Sequence, residues 1–436
     1  MAFRIKAGVL GALLLFNVLG LWGQSGRRAV DDLVFKVAVF GPADDIFIWW
    51  GHAALIVENT RWNYSRVFDW GIFSYPSDDF LGDFLNNLVR YNSSVENLDF
   101  QFYIDEDRDI TVYTLNLEAE GKERILAYAE ENVLPENRYY NYHEFRDNCS
   151  TRIRDLIDMG TAGQFKEWAS TTGGRLPIRH HVRRFTWSRP VWDWFFDLLI
   201  GRDRDVQVSL WDEMFLPVEV ARNISAFSYT DSSGAERRLV SSIQIINASR
   251  ERTPVLNAPL QRWPDALLAG LVPAALGALV LVLRTRKPRA GRIAWGIFQS
   301  LVGLVLGLLG CVLVYAQFFM KNDYVQQNLN LLFMNPLPLA ALPLGILSAA
   351  GRTRLKPDLC LRILWVYVAG AGVLTRLIGL LPTFSQRNLS VLALILPLAL
   401  LLSLGAGRPP RSAATGGGVV DEKSGKGAEA RAEAAS

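Results

Sequence analysis

Cysteine is scarce in this chain, with Cys149, Cys311 and Cys360 the only three in 436 residues. The last two lie in or beside long apolar runs, so Cys149 has no partner in its own polar segment and a disulfide framework is excluded. Histidine is nearly as rare, at four: His52, His143, His180 and His181. No His/Cys/Asp/Glu cluster shows ligand spacing, so no metal site is expected and nothing calls for a cofactor. The formal net charge of +3 is too small for a nucleic-acid footprint, and no nucleic-acid partner is expected. Charged residues are also few, at 20% against 50% hydrophobic, and the apolar ones gather at one N-terminal and several C-terminal places. The chain reads as a membrane protein with a soluble part.

Four segments follow from that distribution. Residues 1–25 carry Arg4 and Lys6 ahead of the apolar run Val9 to Trp22 and read as a signal anchor or transmembrane helix. A cleaved signal peptide is the alternative, with Gln24-Ser25-Gly26 as a weak site. Residues 30–262 have soluble composition, with strands expected at Val34–Phe40, Ile46–Val57, Arg66–Phe73 and Ile110–Leu117 and a helix at Lys122–Asn132. That mixture predicts an α+β domain. Residues 263–406 hold apolar spans at about 264–283, 293–319, 329–350, 361–382 and 389–406, each near the roughly 20 residues that cross a bilayer. Residues 407–436 have no apolar periodicity and read as a disordered cytoplasmic tail. The connections 284–292 and 352–356 are strongly basic, and the alternate ones, 321–328 and 383–388, are not. The positive-inside rule puts the basic loops in the cytoplasm and residues 30–262 outside, and Arg4 and Lys6 give the same orientation.

Chemistry centres on Tyr139 to Asp158. Cys149 stands behind Asp147 and Asn148 and ahead of Ile153, Leu156 and Ile157, which fall at helical spacing. Asn148, Ser150 and Thr151 are N-cap types, so a helix should begin near the sulfur. A helix start, with Arg146 and Arg152 close by, favours thiolate and can bring a thiol pKa from about 8.5 to roughly 3.5–7.5. The other reading is a buried structural cysteine. A lone thiol outside the cytoplasm, where structural cysteines pair, moves the balance toward chemistry.

His52, in Gly51-His52-Ala53-Ala54, heads an apolar strand as either a base or a satisfied core histidine. If a hairpin pairs Val57 with Arg66, His52 lies opposite Gly71 and Asp69 projects from the same face one diagonal step away. A carboxylate there holds the imidazole tautomer so that the other nitrogen faces the thiol; otherwise Asp69 is an ordinary solvent-facing strand residue. His143 is disfavoured as the base, since close sequence neighbours seldom align for proton transfer. His180-His181, in the basic run 179–184, reads as a solvated or lipid-facing patch. Tyr140 and Tyr142 either supply oxyanion contacts or pack the helix on the sheet, with packing favoured, and amides of the Asp147-Asn148-Cys149 turn can face an oxyanion. Arg376 is the one charge well inside its span, at a cost of at least about 2.5 kcal/mol on insertion scales, so it should face the bundle or a polar cavity. Holding a lipid headgroup phosphate and snorkelling to the outer interface are its two readings.

Trp50-Gly-His-Ala-x-Leu55, Phe68-Asp-Trp-Gly-Ile-Phe73, Tyr142-x-x-Phe-Arg-Asp-Asn-Cys-Ser-Thr-Arg-Ile-Arg-Asp-Leu156, Trp211-Asp-Glu-Met-Phe-Leu-Pro-Val-Glu219 and Asn330-Leu-Leu-Phe-Met-Asn-Pro-Leu337 resemble the lipoprotein N-acyltransferase Lnb family over about residues 30–405. The resemblance implies an α+β papain-like extracytoplasmic domain in permuted order, histidine before cysteine, joined to an all-α helical membrane domain. It implies Cys149 as nucleophile and His52 as base, while relatives tend to have Asn-Tyr-Gly where this chain has Asp69-Trp70-Gly71. The residues themselves offer Asp69 for the third place and Asn148 and Tyr142 as oxyanion or support residues. The activity implied moves a fatty acyl chain from a phospholipid donor, through a Cys thioester, to the α-amine of a diacylglyceryl lipoprotein acceptor. The location implied is the bacterial inner membrane, multi-pass, with the thiol domain facing the periplasm. Five C-terminal spans suit a lipid-borne substrate. An NlpC-type cell-wall cysteine peptidase and a non-catalytic membrane scaffold are the competing readings.

Overall fold

In Leu33–Phe40 (β1) the side chains alternate, with Phe35 and Val37 on one face and Ala38 and Phe40 on the other, as a strand covered on both sides requires. The computed structural model describes residues 30–73, 90–97, 99–352 and 354–405, so the expected N-terminal anchor and C-terminal tail lie outside the described residues. β1 sits inside a seven-stranded sheet with β2 (His52–Asn59), β3 (Tyr64–Phe73), β4 (Arg90–Asn97), β5 (Ile110–Leu115), β6 (Tyr139–Asn141) and β9 (Val240–Asn247). The order is β6-β4-β3-β2-β1-β5-β9, and every neighbouring pair is antiparallel. β7 (Ser228–Thr230) and β8 (Glu236–Arg238) form a separate small ribbon.

The β2–β3 hairpin has the expected register, Val57 against Arg66 and Ala54 against Asp69. Its turn is closed by Asn59, whose Oδ1 accepts from the amides of Arg61 (3.1 Å) and Trp62 (2.9 Å), an Asx turn that sets the pairing. Helices α1 (Ala119–Asn132), α2 (Cys149–Gly160), α3 (Gln164–Thr171) and α6 (Pro217–Ala226) cover one face of the sheet, burying Phe35, Leu55 and Phe68 against Ile125, Ile157 and Ile224. α4 (Ile178–Thr186) and α5 (Pro190–Leu199) lead toward the C-terminal half. This part is an α+β domain, as expected.

The C-terminal half is helical: α7 (Trp263–Arg286), α8 (Pro288–Phe318), α9 (Ala341–Ala349), α10 (Pro357–Ile378) and α11 (Leu389–Gly405). Among the described residues four segments are long and apolar enough to cross a membrane, and α11 is an apolar helix of 17 residues. The expected third span, 329–350, is not one continuous helix. Leu329–Leu332 and Leu337–Ala340 are 3-10 turns, and only nine residues are α-helical. Pro336 and Pro338 lack backbone donors, and Asn335 compensates by donating to Leu331 O (3.2 Å) and accepting from Leu337 N (3.0 Å). α8 meets this segment with glycine, because a Cβ at Gly310 would lie 2.2 Å from the Asn335 backbone.

A second correction concerns Arg376. It is exposed, in the last turn of α10 two residues before the helix ends at Ile378, and so does not point into the packed bundle as expected.

The two halves join through the weakly basic connections. Asn328 Nδ2 donates to Leu198 O (2.7 Å) and Leu199 O (3.0 Å), Gly201 N donates to Tyr324 O (2.8 Å), and Arg183 Nη2 donates to Arg387 O (2.6 Å). The strongly basic connections, 284–292 and 352–356, alternate with these along the bundle and so lie at its other end. Docking and the positive-inside rule therefore give one orientation.

A Cβ on Gly201 would come 1.7 Å from Gln326 O, so this interface needs glycine there. Gly201→Ala should lower the thermal unfolding midpoint of the full-length protein in detergent by several degrees and expose 200–206 to protease, as fluorescence melting and limited proteolysis would show. Unchanged melting and cleavage would mean that the two halves do not depend on this contact.

Candidate active site

Local chemistry places Cys149 at the first position of α2. Asn148 is the N-cap: its side chain accepts from Thr151 N (2.9 Å) while Thr151 Oγ1 accepts from Asn148 N (2.8 Å), a reciprocal capping box. Asn148 Nδ2 donates to Glu144 O (2.7 Å) and Phe215 O (2.9 Å), tying the cap to the preceding turn and to the segment before α6. With its amide so engaged, Asn148 acts as support, and its side chain is not aimed at an oxyanion. Ile153, Leu156 and Ile157 bury the inner stripe of α2, which holds the helix start against the sheet.

The sheet brings the second and third residues. His52 opens β2 after Gly51, whose φ of +83° and 2.5 Å clearance from Phe40 O leave no room for a side chain. His52 Nε2 lies 2.7 Å from Asp69 Oδ1, the diagonal contact that the hairpin register implies. The ring also acts on the Cys149 thiol, by charge and by hydrogen bonding, with Nε2 held by Asp69. Opposite His52 the β3–β4 ladder slips between Trp70 and Ile72, with Gly71 at φ +87°, where an added Cβ would lie 3.6 Å from the Cys149 Cβ and the Tyr142 ring.

Electrostatics in this group are coupled. Burial alone would lower the His52 pKa, but the carboxylate of Asp69 and the sulfur of Cys149 outweigh it and push it up to about 10. Burial alone would raise the Cys149 pKa, but the His52 cation, its hydrogen bond and the Ala53 backbone amide bring it below the ordinary thiol value. The arrangement favours an imidazolium–thiolate pair. The arginines do not supply this effect as expected. Arg152 is held by Asp147 (Nε–Oδ1 2.5 Å, Nη2–Oδ2 2.8 Å) and over the Tyr140 ring, and Arg146 pairs with Asp323.

Around the sulfur stand two tyrosines. Tyr142 stacks on Tyr91 at 4.0 Å between ring centres, the packing role that was favoured. Tyr140 differs, because its buried hydroxyl finds no hydrogen-bond partner among the described residues. Burial first and then the Cys149 charge raise its pKa, so it stays a protonated donor beside the sulfur. Sequence patterning could not separate the two tyrosines, since both alternate correctly for a strand edge.

The turn before Cys149 is held from the helical half, which local reasoning missed. Asp323, in the α8–α9 connection, takes His143 Nε2 (3.3 Å), Arg146 and Arg204 (2.9 Å), while His143 Nδ1 accepts from Phe145 N (3.1 Å). Both His143 nitrogens are therefore occupied away from the thiol. Glu144 is half-buried, burial raises its pKa, and Tyr324 and Asn322 stand beside it.

His181, expected in an exposed patch, is fully buried, as are Arg179 and Arg184. His181 meets Glu213 and Glu219 in a constellation that metal ligands can form. Its Nε2 is 2.6 Å from Glu213 and its Nδ1 is 2.7 Å from Arg184, which also donates to Glu219 (2.6 Å), as does Arg175 (3.1 Å). Two guanidinium groups already neutralise these carboxylates, so the group is a buried ion network and does not suit a cation. The arginines of α4 faced inward because their carboxylate partners come from α5, α6 and the loops, which a short periodicity cannot reveal.

Residues 29–184 match the model of the Lnb N-terminal periplasmic domain, and residues 268–405 match that of the Lnb transmembrane domain. No curated protein and no solved structure matches the chain.

The ion pair sets a pH dependence. Because the His52 cation holds the Cys149 pKa down, alkylation by iodoacetamide should reach its plateau well below the ordinary thiol pKa of about 8.5. His52→Ala should move the inflection upward and slow alkylation at about pH 6 by about tenfold or more. An inflection that stays in place would show that His52 does not set the thiolate.

Proposed function

Given that the chain belongs to the Lnb family, through both the periplasmic and the transmembrane domain of that family, we propose that it is a cysteine-dependent acyltransferase of the bacterial inner membrane that N-acylates lipoproteins. The observation that carries this reading is the Cys149–His52–Asp69 alignment on a domain docked to the outer end of an apolar helical bundle. A soluble substrate does not require such a bundle, and a phospholipid or a lipid-anchored protein does.

In the first half-reaction the Cys149 thiolate attacks the carbonyl carbon of a phospholipid ester. A C–S bond forms, the ester C–O bond breaks, and the His52 imidazolium gives its proton to the departing lysophospholipid alkoxide. In the second half-reaction the α-amine of a diacylglyceryl-cysteine attacks the thioester. A C–N bond forms, the C–S bond breaks, His52 takes the amine proton and the thiolate returns. Asp69 orients the ring and stabilises its cation throughout. The Cys149 backbone amide, at a helix start, and the Tyr140 hydroxyl are the donors for the oxyanion of each tetrahedral intermediate. The whole cycle needs no metal or cofactor.

Cys149→Ala should abolish N-acylation while the protein remains folded and inserted, with mass spectrometry of lipoproteins in cells relying on this chain as the readout. The wild-type protein, incubated with phospholipid alone, should gain one acyl mass that hydroxylamine removes. Altered muropeptides with unaltered lipoproteins would favour the peptidase reading, and no change in either would favour the scaffold. Tyr140→Phe should slow thioester formation by roughly one hundredfold, the usual scale for one oxyanion donor, without moving the alkylation profile of Cys149. An unaffected rate would leave Tyr140 as packing.

A further inference from the structure

α5 is turned inside out. Its carboxylates, Asp193 and Asp197, are each 1% exposed, while Val191 is 69% and Trp192 42% exposed. On the buried face Asp197 takes a two-pronged contact from Arg183 (2.9 and 2.7 Å), and Asp193 Oδ1 accepts from Thr186 Oγ1 (2.6 Å) while its Oδ2 finds no partner among the described residues. A helix of a water-soluble domain shows the opposite pattern, with its apolar stripe inward. An apolar outer stripe over a charged inner one suits a helix that meets lipid.

The position of α5 agrees with this. Its last turn is part of the bundle, since Leu198 packs with Phe333 and Leu392 in the bundle core and its carbonyl accepts from Asn328 and Asn330. The same end of the bundle exposes Phe318, Phe319 and Phe384, the aromatic level expected at a bilayer interface. The stripe also points to the site. Trp192 meets Trp49 edge-on at 5.6 Å, Trp49 lies 6.1 Å from Trp50, and Trp50 meets Phe196 at 5.6 Å. Trp50 stands just before Gly51-His52, so an aromatic wall runs from the exposed stripe to the base of the candidate site.

We propose that α5 lies in the outer leaflet and is the surface by which a glycerophospholipid enters, with Val191 and Trp192 among the acyl chains and the Trp192–Trp49–Trp50 wall guiding one acyl ester to Cys149. The entry role rests on the acyltransferase reading above; contact of α5 with lipid does not.

Two measurements test it on the full-length protein. The first places a nitroxide at Trp192→Cys in a Cys149→Ala, Cys311→Ser, Cys360→Ser background, reconstituted in discs of phosphatidylethanolamine and phosphatidylglycerol. Collision with oxygen should exceed collision with a water-soluble nickel complex. Faster collision with nickel would overturn the proposal, and so would shielding from both, which would mean that a protein segment such as residues 1–28 covers the stripe. The second compares acyl donors, using Val191→Asp with Trp192→Asp. Acylation of Cys149 from bilayer phospholipid should fall at least tenfold relative to acylation from a soluble short-chain thioester. An unchanged ratio would overturn the entry role while leaving the thiol chemistry standing. Failure of the wild-type protein with both donors would instead sink the acyltransferase reading, and the entry role with it; the nitroxide result then decides lipid contact by itself.

Discussion

A charged pair formed away from water is the constraint on which the rest of the candidate site depends. A thiolate and an imidazolium each lose hydration on burial, and they persist only where each is the other's partner and the remaining polar atoms are matched. Here the matching is specific. Asp69 takes one ring nitrogen, the Ala53 amide approaches the sulfur, and the start of α2 adds its dipole. Each partner arrives on a different element, so the pair exists only if sheet register, bulge and helix cap are all in place at once. Gly51 and Gly71 answer to that geometry, one by its close approach to Phe40 and the other by its φ of +87° beside Cys149.

The same requirement explains why the α+β domain and the helical domain are joined by charge and amide contacts. The turn from His143 to Asn148 carries the sulfur but has little regular structure of its own. Asp323 draws His143, Arg146 and Arg204 onto one carboxylate, and Tyr324 lies beside Glu144. The cysteine turn is thus held on one side by its own helix cap and on the other by a loop of the bundle. The proposed acyl transfer would need both a positioned nucleophile and access to lipid, and this junction would support the two together. The inverted helix α5 belongs to the same junction, with Asp197 serving the buried arginines and Leu198 serving the bundle.

Much of this could be read locally. The α2 start at Cys149 follows from Asn148 and Thr151, residues within one turn of the sulfur. The His52–Asp69 contact follows from a hairpin whose turn is closed by Asn59, again within a few residues. Lys and Arg counts in the connections fixed the orientation, since insertion responds to charge beside each span. These features depend on hydrogen bonds and periodicities a few residues long, which the order of residues by itself determines.

Other features were decided only by tertiary structure. The cation beside the thiolate is His52 and not Arg146 or Arg152, because distant Asp323 and nearby Asp147 claim the arginines first. The basic run 179–184 is buried because carboxylates from α5, α6 and the loops close around it. The 329–350 span breaks into 3-10 turns because Asn335 and the glycines of α8 make a broken backbone tolerable at that depth. Arg376 is exposed in the last turn of α10, whose inner stripe there is Thr375 and Gly372. In each case the outcome rests on which long-range partner satisfies a charge or a backbone group, and that identity is set when the chain closes on itself, not by any short stretch of it.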